Sequence, residues 1–250
     1  MSFLQSILLG IVQGTTEFLP ISSSAHLRLA KYFLGLDHLS GLIYFDLVCH
    51  MGTLLALLIF LKEEVFHVLK SVRTIALYFL ALLPLIPAYF FLKPLLLKAS
   101  HPSFLGYSLM TTSMLLFVAS QKKTFSPSKK WQHVLCIGVM QTMALIPGIS
   151  RSGSTITTAR LCGWSWKDGA LFSFLLAIPT ICGGEILESL KYHETGHVSG
   201  ICYLGGFMSS FVLGLFSVRF IFFIYETGKV RPFAWYCLGA GLVTWRLLHG

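Results

Sequence analysis

Long apolar runs alternate with short polar breaks along this chain, and the runs are of two kinds. Six are uninterrupted, at roughly 42–61, 74–97, 104–120, 169–190, 199–225 and 232–249. Each approaches the ~20 residues an α-helix needs to cross about 30 Å of hydrocarbon. Two more, 3–34 and 131–163, are apolar at both ends but polar in the middle, at 13–24 and 141–155. Their arms are too short to cross alone. Each reads either as one broken span or as a re-entrant hairpin that dips in and returns. Irregular backbone at that depth is stable only where protein buries it or where it lines a wet cavity.

Composition turns this pattern into a fold class. Hydrophobic residues make up 55% of the 250 residues and charged residues 12%, and the mean hydropathy is +0.74. A soluble core cannot absorb that much apolar surface, so the expectation is an all-α polytopic membrane protein. Residues 1–12 lack a basic n-region and a cleavage site, so they read as part of the first interrupted segment and not as a removable signal peptide. The net charge of +9 reflects basic loops between spans and calls for no nucleic acid. Six cysteines, with no C-x-x-C pair, read as small apolar residues. Trp164, Trp166, Trp235 and Trp245 stand near span ends, as in an interfacial belt.

The positions of lysine and arginine favour hairpins over broken spans. With hairpins, the loops 62–73, 121–131, 164–168 and 226–231 share one side and gather Lys62, Lys70, Arg73, Lys122, Lys123, Lys129, Lys130, Lys167, Lys229 and Arg231. The other side holds Arg28, Lys31, Lys93, Lys98, Lys191 and Arg246. The richer side is expected in the cytoplasm, with Asp37 and Glu194 facing outward. The architecture that follows has six transmembrane helices plus two re-entrant helical hairpins in an inverted-topology repeat. Residues 1–120 form the first repeat, 121–132 a basic linker and 133–250 the second repeat. The hairpins enter from opposite faces, so their polar tips can meet within the membrane, as in many secondary transporters.

The tips carry the candidate chemistry. Pro20-Ile-Ser-Ser-Ser-Ala25 and Pro147-Gly-Ile-Ser-Arg-Ser-Gly153 read as two copies of one motif, and each follows an apolar run opened by a glutamine, Gln13 or Gln141. A proline ends the incoming helix and serines stand where the outgoing helix starts, a position that favours serine as N-cap. Two helix N-termini would then offer free N–H groups and positive dipole ends to one anion, with Ser22, Ser23, Ser24, Ser150 and Ser152 as hydroxyl donors and Gly148 and Thr155 alongside. Arg151 adds a planar fork matched to phosphate; its other reading is a structural pair with Glu17. Gln13 and Glu17 share one helix face, and Glu17 is a candidate base or metal ligand. Ser23 and His26 have the spacing of a nucleophile and its base, a pattern that also arises by chance. Asp46 and His50 share a face of the next span and read as support for the site or as packing. Glu185 and Glu188, at the end of a span near the outer face, read as interfacial by default, with coordination of a cation as the other reading.

Three ordered segments, Gln13-Gly-Thr-Thr-Glu17-Phe-Leu-Pro-Ile-Ser-Ser-Ser-Ala-His26, Phe45-Asp-Leu-Val-Cys-His-Met-Gly-Thr-Leu-Leu-Ala-Leu57 and Pro147-Gly-Ile-Ser-Arg-Ser-Gly-Ser-Thr155, closely resemble the signature segments of the undecaprenyl-diphosphate phosphatase (bacitracin-resistance protein) family. Only Ala25 departs, standing where glycine is usual. The resemblance implies hydrolysis of undecaprenyl diphosphate to undecaprenyl phosphate, recycling of the peptidoglycan lipid carrier, bacitracin resistance, and residence in the bacterial cytoplasmic membrane with the site open to the outer face. It also implies a divalent cation, Mg2+ or Ca2+, with Glu17 and Gln13 as the candidate ligands. By motif position Glu17, Ser23, His26 and Arg151 match the family's catalytic residues. A carrier that flips a prenyl phosphate lipid on the same scaffold stays open, as do the choice between Ser23 and a Glu17-activated water as nucleophile and that between monomer and homodimer.

Overall fold

Local signals set the helix ends. In the computed structural model of the chain, which describes residues 1–36, 42–99, 101–122, 130–191 and 198–249, α-helices and two short 3-10 turns are the only regular structure among the described residues. Helix α1 (Phe3–Thr16) starts at Ser2, whose Oγ accepts the Gln5 N–H at 3.2 Å while its own N–H donates to Gln5 Oε1 at 2.7 Å. This reciprocal capping box satisfies two donors that a helix start leaves free. Next come α2 (Ser23–Phe33), α3 (Leu42–Phe60), α4 (Lys62–Leu69), α5 (Val72–Leu82), α6 (Leu85–Phe91), α7 (Lys93–Ala99) and α8 (Leu105–Gln121). The second half holds α9 (Trp131–Gln141), α10 (Arg151–Leu161), α11 (Trp166–Lys191), α12 (Gly200–Thr227) and α13 (Arg231–His249).

Among the described residues, five helical segments are long and apolar enough to cross a membrane: Leu42–Phe60, Val72–Phe91, Pro102–Gln121, Trp166–Leu190 and Gly200–Thr227. The protein is therefore a multi-pass membrane protein. These segments follow the expected spans closely, with one difference. The run expected at 74–97 stops at Phe91, with Leu92 as its cap, because Pro94 has no N–H to donate to the preceding turn. The sixth expected span coincides with α13, 19 residues long, which is not among the five; Arg231 and Arg246 lower its apolarity. Asp37, Glu194 and the basic stretch 123–129, on which the expected orientation leans, lie outside the described residues.

The interrupted segments form two helix–turn–helix units. Their arms, α1 with 14 residues and α2, α9 and α10 with 11 each, reach about 16–21 Å at ~1.5 Å per residue. In each unit the arms pack against one another, α1 on α2 and α9 on α10. The units are also cross-wired: α1 lies along α12 of the second half, α9 lies on α5 of the first, and α8 pairs with α13. Beneath the tips, Phe18 and Ile156, one from each unit, join Leu57, Phe174, Ile221 and Tyr225 in one buried cluster.

Apolar burial drives helix association weakly inside a bilayer, so these contacts depend on close approach of small residues. A Cβ on Gly10 of α1 would lie 2.5 Å from the Gly206 carbonyl oxygen and 2.0 Å from Ser209 Oγ of α12. Gly10→Ala is expected to lower stability by about 1–3 kcal/mol, the range for overpacking a close contact. The corresponding change at Gly239, whose Cβ would meet nothing within 4 Å, is expected to be neutral or to stabilise by up to ~1 kcal/mol. Thermal unfolding of detergent-solubilised variants measures both, and equal behaviour of the two would remove the close-packing account.

Candidate active site

Both polar breaks end in a serine that caps the outgoing helix, although their backbones differ, Ser22 having φ 70° and Ser150 φ −70°. After Pro20 the chain turns, and Ser22 caps α2, its Oγ accepting the Ala25 N–H at 3.4 Å. After Pro147, Ser150 caps α10, its Oγ accepting the Gly153 N–H at 3.0 Å. Gly148 takes φ +97°, and a Cβ there would lie 2.6 Å from Ser108 Cβ, so both backbone conformation and space require glycine. The tips touch directly. Gly148 N–H donates to Ser24 Oγ at 3.3 Å, and Ser152 Oγ donates to the Leu19 carbonyl at 3.1 Å. The starts of α2 and α10 therefore border one cavity of about 200 Å³, walled by Glu17, Ser22, Ser23, Ser24, Ser150 and Arg151 from the tips. His50 of α3 and Thr180, Gly184 and Glu185 of α11 complete much of the wall.

Glu17 is the hub of this cavity. Its Oε1 accepts from Arg151 Nη2 at 2.8 Å, while its Oε2 accepts from Ser23 Oγ at 2.7 Å and from Gln13 Nε2 at 2.9 Å. The ion pair joins the first helical unit to the second, with side-chain exposures of only 14% for Arg151 and 6% for Glu17. His50 bridges two acids, its Nε2 3.8 Å from Glu17 Oε2 and its Nδ1 3.5 Å from Glu185 Oε1. Arg151 Nη1 and Glu185 Oε2 are buried with no hydrogen-bond partner among the described residues.

The expected pairing of Ser23 with His26 is not made. His26 Nδ1 sits 2.7 Å from the Ser22 carbonyl, which can only accept, so Nδ1 donates there, and Nε2 meets Tyr236 Oη at 2.7 Å. An i to i−4 carbonyl on the same helix outcompetes the i−3 hydroxyl for the ring. The ring thereby holds Ser22, the one non-glycine residue at positive φ (70°) among the described residues. Such a conformation costs about 1–3 kcal/mol and persists only when its surroundings enforce it.

Other expected residues separate into those on the cavity and those behind it. Gln13, fully buried, is not on the wall; its amide orients Glu17, and its Oε1 has no partner. Thr155 faces α11, sharing a hydrogen bond with Ser173 at 2.6 Å, and Ser152 faces the other unit, so neither reaches the cavity. Gly148 shapes the turn. Asp46 forms an ion pair with Lys31, tying α3 to α2, and its backbone carbonyl accepts from His50 Nδ1 at 2.9 Å. Glu185, read as interfacial, is on the cavity wall, and Tyr236 completes the partners of His26. Tyr236 carries no local sequence signal, whereas Glu185 had one, an acid on an apolar helix just after Gly183-Gly184. Among the described residues, no group of three or more His, Cys, Asp or Glu side chains forms a metal cage.

Fold and cavity together define a multi-pass membrane protein with a polar cavity at the junction of two helical units. The comparison with known proteins then gives the family. The model of bacitracin resistance protein BacA matches residues 6–243, and the chain belongs to this family. It is 39% identical over 251 residues to an undecaprenyl-diphosphatase of Protochlamydia amoebophila, covering 98% of each chain. An undecaprenyl-diphosphatase of Pelobacter propionicus is 35% identical over 262 residues, with 96% of this chain and 95% of the relative covered. One from Rubrobacter xylanophilus is 33% identical over 257 residues, with 94% of each covered.

The Glu17–Arg151 pair predicts a particular pattern of stability. Arg151→Leu strands a buried carboxylate and is expected to cost about 3–5 kcal/mol, whereas adding Glu17→Gln recovers most of that loss. Unfolding of both variants in detergent measures it. Additive losses would mean that the two side chains are not coupled in the folded protein.

Proposed function

We propose that this protein is an integral membrane phosphatase that hydrolyses undecaprenyl diphosphate to undecaprenyl phosphate and inorganic phosphate. The observation that carries the reading is the linked row Ser23–Glu17–Arg151 at the start of two helices that border one cavity. The N–H groups and dipoles at these helix starts favour phosphate. Arg151 keeps one arm of its fork on Glu17 and has Nη1 free to donate to a phosphoryl oxygen.

In the proposed reaction Ser23 Oγ attacks the terminal phosphorus, and its proton passes to Glu17 Oε2, the atom it already bonds at 2.7 Å. The bond from phosphorus to the bridging oxygen breaks, and undecaprenyl phosphate leaves and takes the proton from Glu17 onto its departing oxygen. Water, deprotonated by the restored Glu17 carboxylate, then hydrolyses the phosphoserine, the proton taken from water returning to Ser23 Oγ through Glu17. Developing charge on the phosphoryl oxygens is met by Arg151 and by the helix starts. His26 serves as a positioning residue that holds the Ser22 turn, and Gln13 and His50 orient Glu17. In the rival route Glu17 activates water directly and Ser23 only binds phosphate.

A divalent cation, Mg2+ or Ca2+, suits the donors present. Glu17 and Glu185 are hard oxygen donors on one cavity, Glu185 Oε2 is free, and such cations often use one or two carboxylates plus substrate oxygens. When bound, the ion would supply charge neutralisation on the phosphate oxygens. Gln13 lies behind Glu17 and is left out of this donor set.

The packing of each helical unit on the opposite half supports two inverted repeats, 1–120 and 133–250, with both units re-entrant and 121–132 as the cytoplasmic linker. With six spans counted, α13 included, the cavity opens toward the outer face of the bacterial cytoplasmic membrane. Hydrolysis there returns the lipid carrier to peptidoglycan synthesis, and depletion of the diphosphate lowers sensitivity to bacitracin. The same packing would suit a carrier of prenyl phosphate lipids, which moves the lipid without releasing phosphate.

Purified protein is expected to release inorganic phosphate from undecaprenyl diphosphate. Arg151→Lys, which keeps the charge and loses the fork, is expected to lower kcat/KM at least ~100-fold, about 3 kcal/mol of transition-state binding. Ser23→Ala and Glu17→Gln should both fall to background. If Ser23→Ala keeps more than about a tenth of kcat while Glu17→Gln is dead, the water route holds and Ser23 is a phosphate ligand.

A further inference from the structure

A second cavity, of about 550 Å³, opens beside the polar one between α6 and α11. The two share wall residues, Thr180 and Gly184 of α11. Beyond that shared edge the lining is mostly apolar, with Ile86 and Phe90 on α6 and Gly183 and Leu187 on α11, and Glu188 as its one acidic residue. Its volume lies within the ~300–1,000 Å³ of ordinary ligand sites. The glycines keep it open: among the described residues, a Cβ at Gly183 or Gly184 would meet nothing within 4 Å, so a side chain there would project into the groove. Two other apolar clefts, between α4, α5 and α11, share no wall residue with the polar cavity. Continuity with the polar cavity therefore singles out the groove between α6 and α11.

We propose that this groove holds the first isoprene units of the prenyl chain of a prenyl diphosphate, with the rest of the chain in the bilayer. The proposal rests on the phosphatase reading for its occupant. A lipid of this kind has one strongly polar end and one apolar end, joined directly. The protein offers a polar cavity and an apolar groove joined in the same way, at Thr180 and Gly184. Exposed Ile86 and Phe90, on a helix already long and apolar enough with α5 to span a membrane, give the groove a side open to lipid. The chain can thus enter sideways from the bilayer while the diphosphate reaches Arg151. Binding energy from the chain then positions the reacting phosphorus, and the gain appears in kcat/KM for long chains.

Gly183 belongs to the groove and not to the wall of the polar cavity, so Gly183→Leu fills the one and spares the other. The variant and the wild type are compared on undecaprenyl diphosphate and on isopentenyl diphosphate, a short compound that reaches little beyond Thr180 and Gly184; the short compound is read as substrate or as competitor of the long one. The expected result is a loss of at least ~10-fold in kcat/KM for the long lipid, in line with steric misfit in a hydrophobic pocket, and a change below ~2-fold for the short one. Equal losses on both compounds, or no loss on the long one, would overturn the groove. Independently of any variant, a prenyl diphosphate bearing a benzophenone near its head end is expected to label wild-type segments 85–91 and 179–190; labelling confined to 62–82 would also overturn it. If wild type releases phosphate from neither compound while the label still falls on 179–190, the phosphatase reading fails and the groove stands. Turnover with the label elsewhere means the reverse.

Discussion

The buried contact between Glu17 and Arg151 is the constraint on which the remaining structure depends. An acid and a base held at 2.8 Å with little exposure are tolerable in an apolar surrounding only if each also satisfies its other polar atoms. Glu17 meets that demand with Gln13 and Ser23, which is why a glutamine stands one turn before it and a serine opens the next helix. Arg151 meets it incompletely, with Nη1 left over. The pair therefore both joins the two helical units and leaves one directed donor over for an anion. Replacing it by apolar side chains could preserve packing but would remove the one guanidinium that the described residues place on the cavity wall.

Backbone geometry delivers these groups. Pro20 follows the end of the first arm and a 3-10 turn with Pro147-Gly148 follows the second, so neither arm continues as α-helix, and serine caps restart the chain in a new direction. Ser22 pays for the sharpness of the first turn with a left-handed conformation, and His26 with Tyr236 behind it holds that turn in place. A single imidazole thus links α2 to α13, far from the reacting groups in sequence but next to the turn that aims Ser23. Small residues then let α1 lie close to α12, which fixes the height of Glu17 relative to the second unit.

Much of this was legible in the sequence, for physical reasons that also explain what was not. Apolar runs near the length of a bilayer crossing located the five spans to within a few residues, and the Pro-Ser breaks located both helix restarts, because these signals are local. The end of the 74–97 run was misplaced only because hydropathy ignores the backbone N–H that Pro94 lacks. Ser23 and His26 looked like partners because i and i+3 share a helix face; their real partners, Glu17 across a turn and Tyr236 on α13, depend on tertiary packing. Glu185 was read as interfacial from its place near a span end, yet α11 carries it onto the cavity wall beside His50. Thr155 and Ser152 matched the motif but turn toward protein neighbours, since a helix can present only part of its surface to one cavity.

The central claim is that Glu17 takes a proton from Ser23 as the serine attacks phosphorus, and rapid-quench mass spectrometry of the enzyme during turnover tests it most directly. Mixing excess undecaprenyl diphosphate with purified protein and quenching in acid on the millisecond scale should yield a phosphorylated peptide modified at Ser23, formed and lost at rates compatible with steady-state turnover. Full turnover with no phosphoserine at any quench time would contradict the account and assign the attack to water.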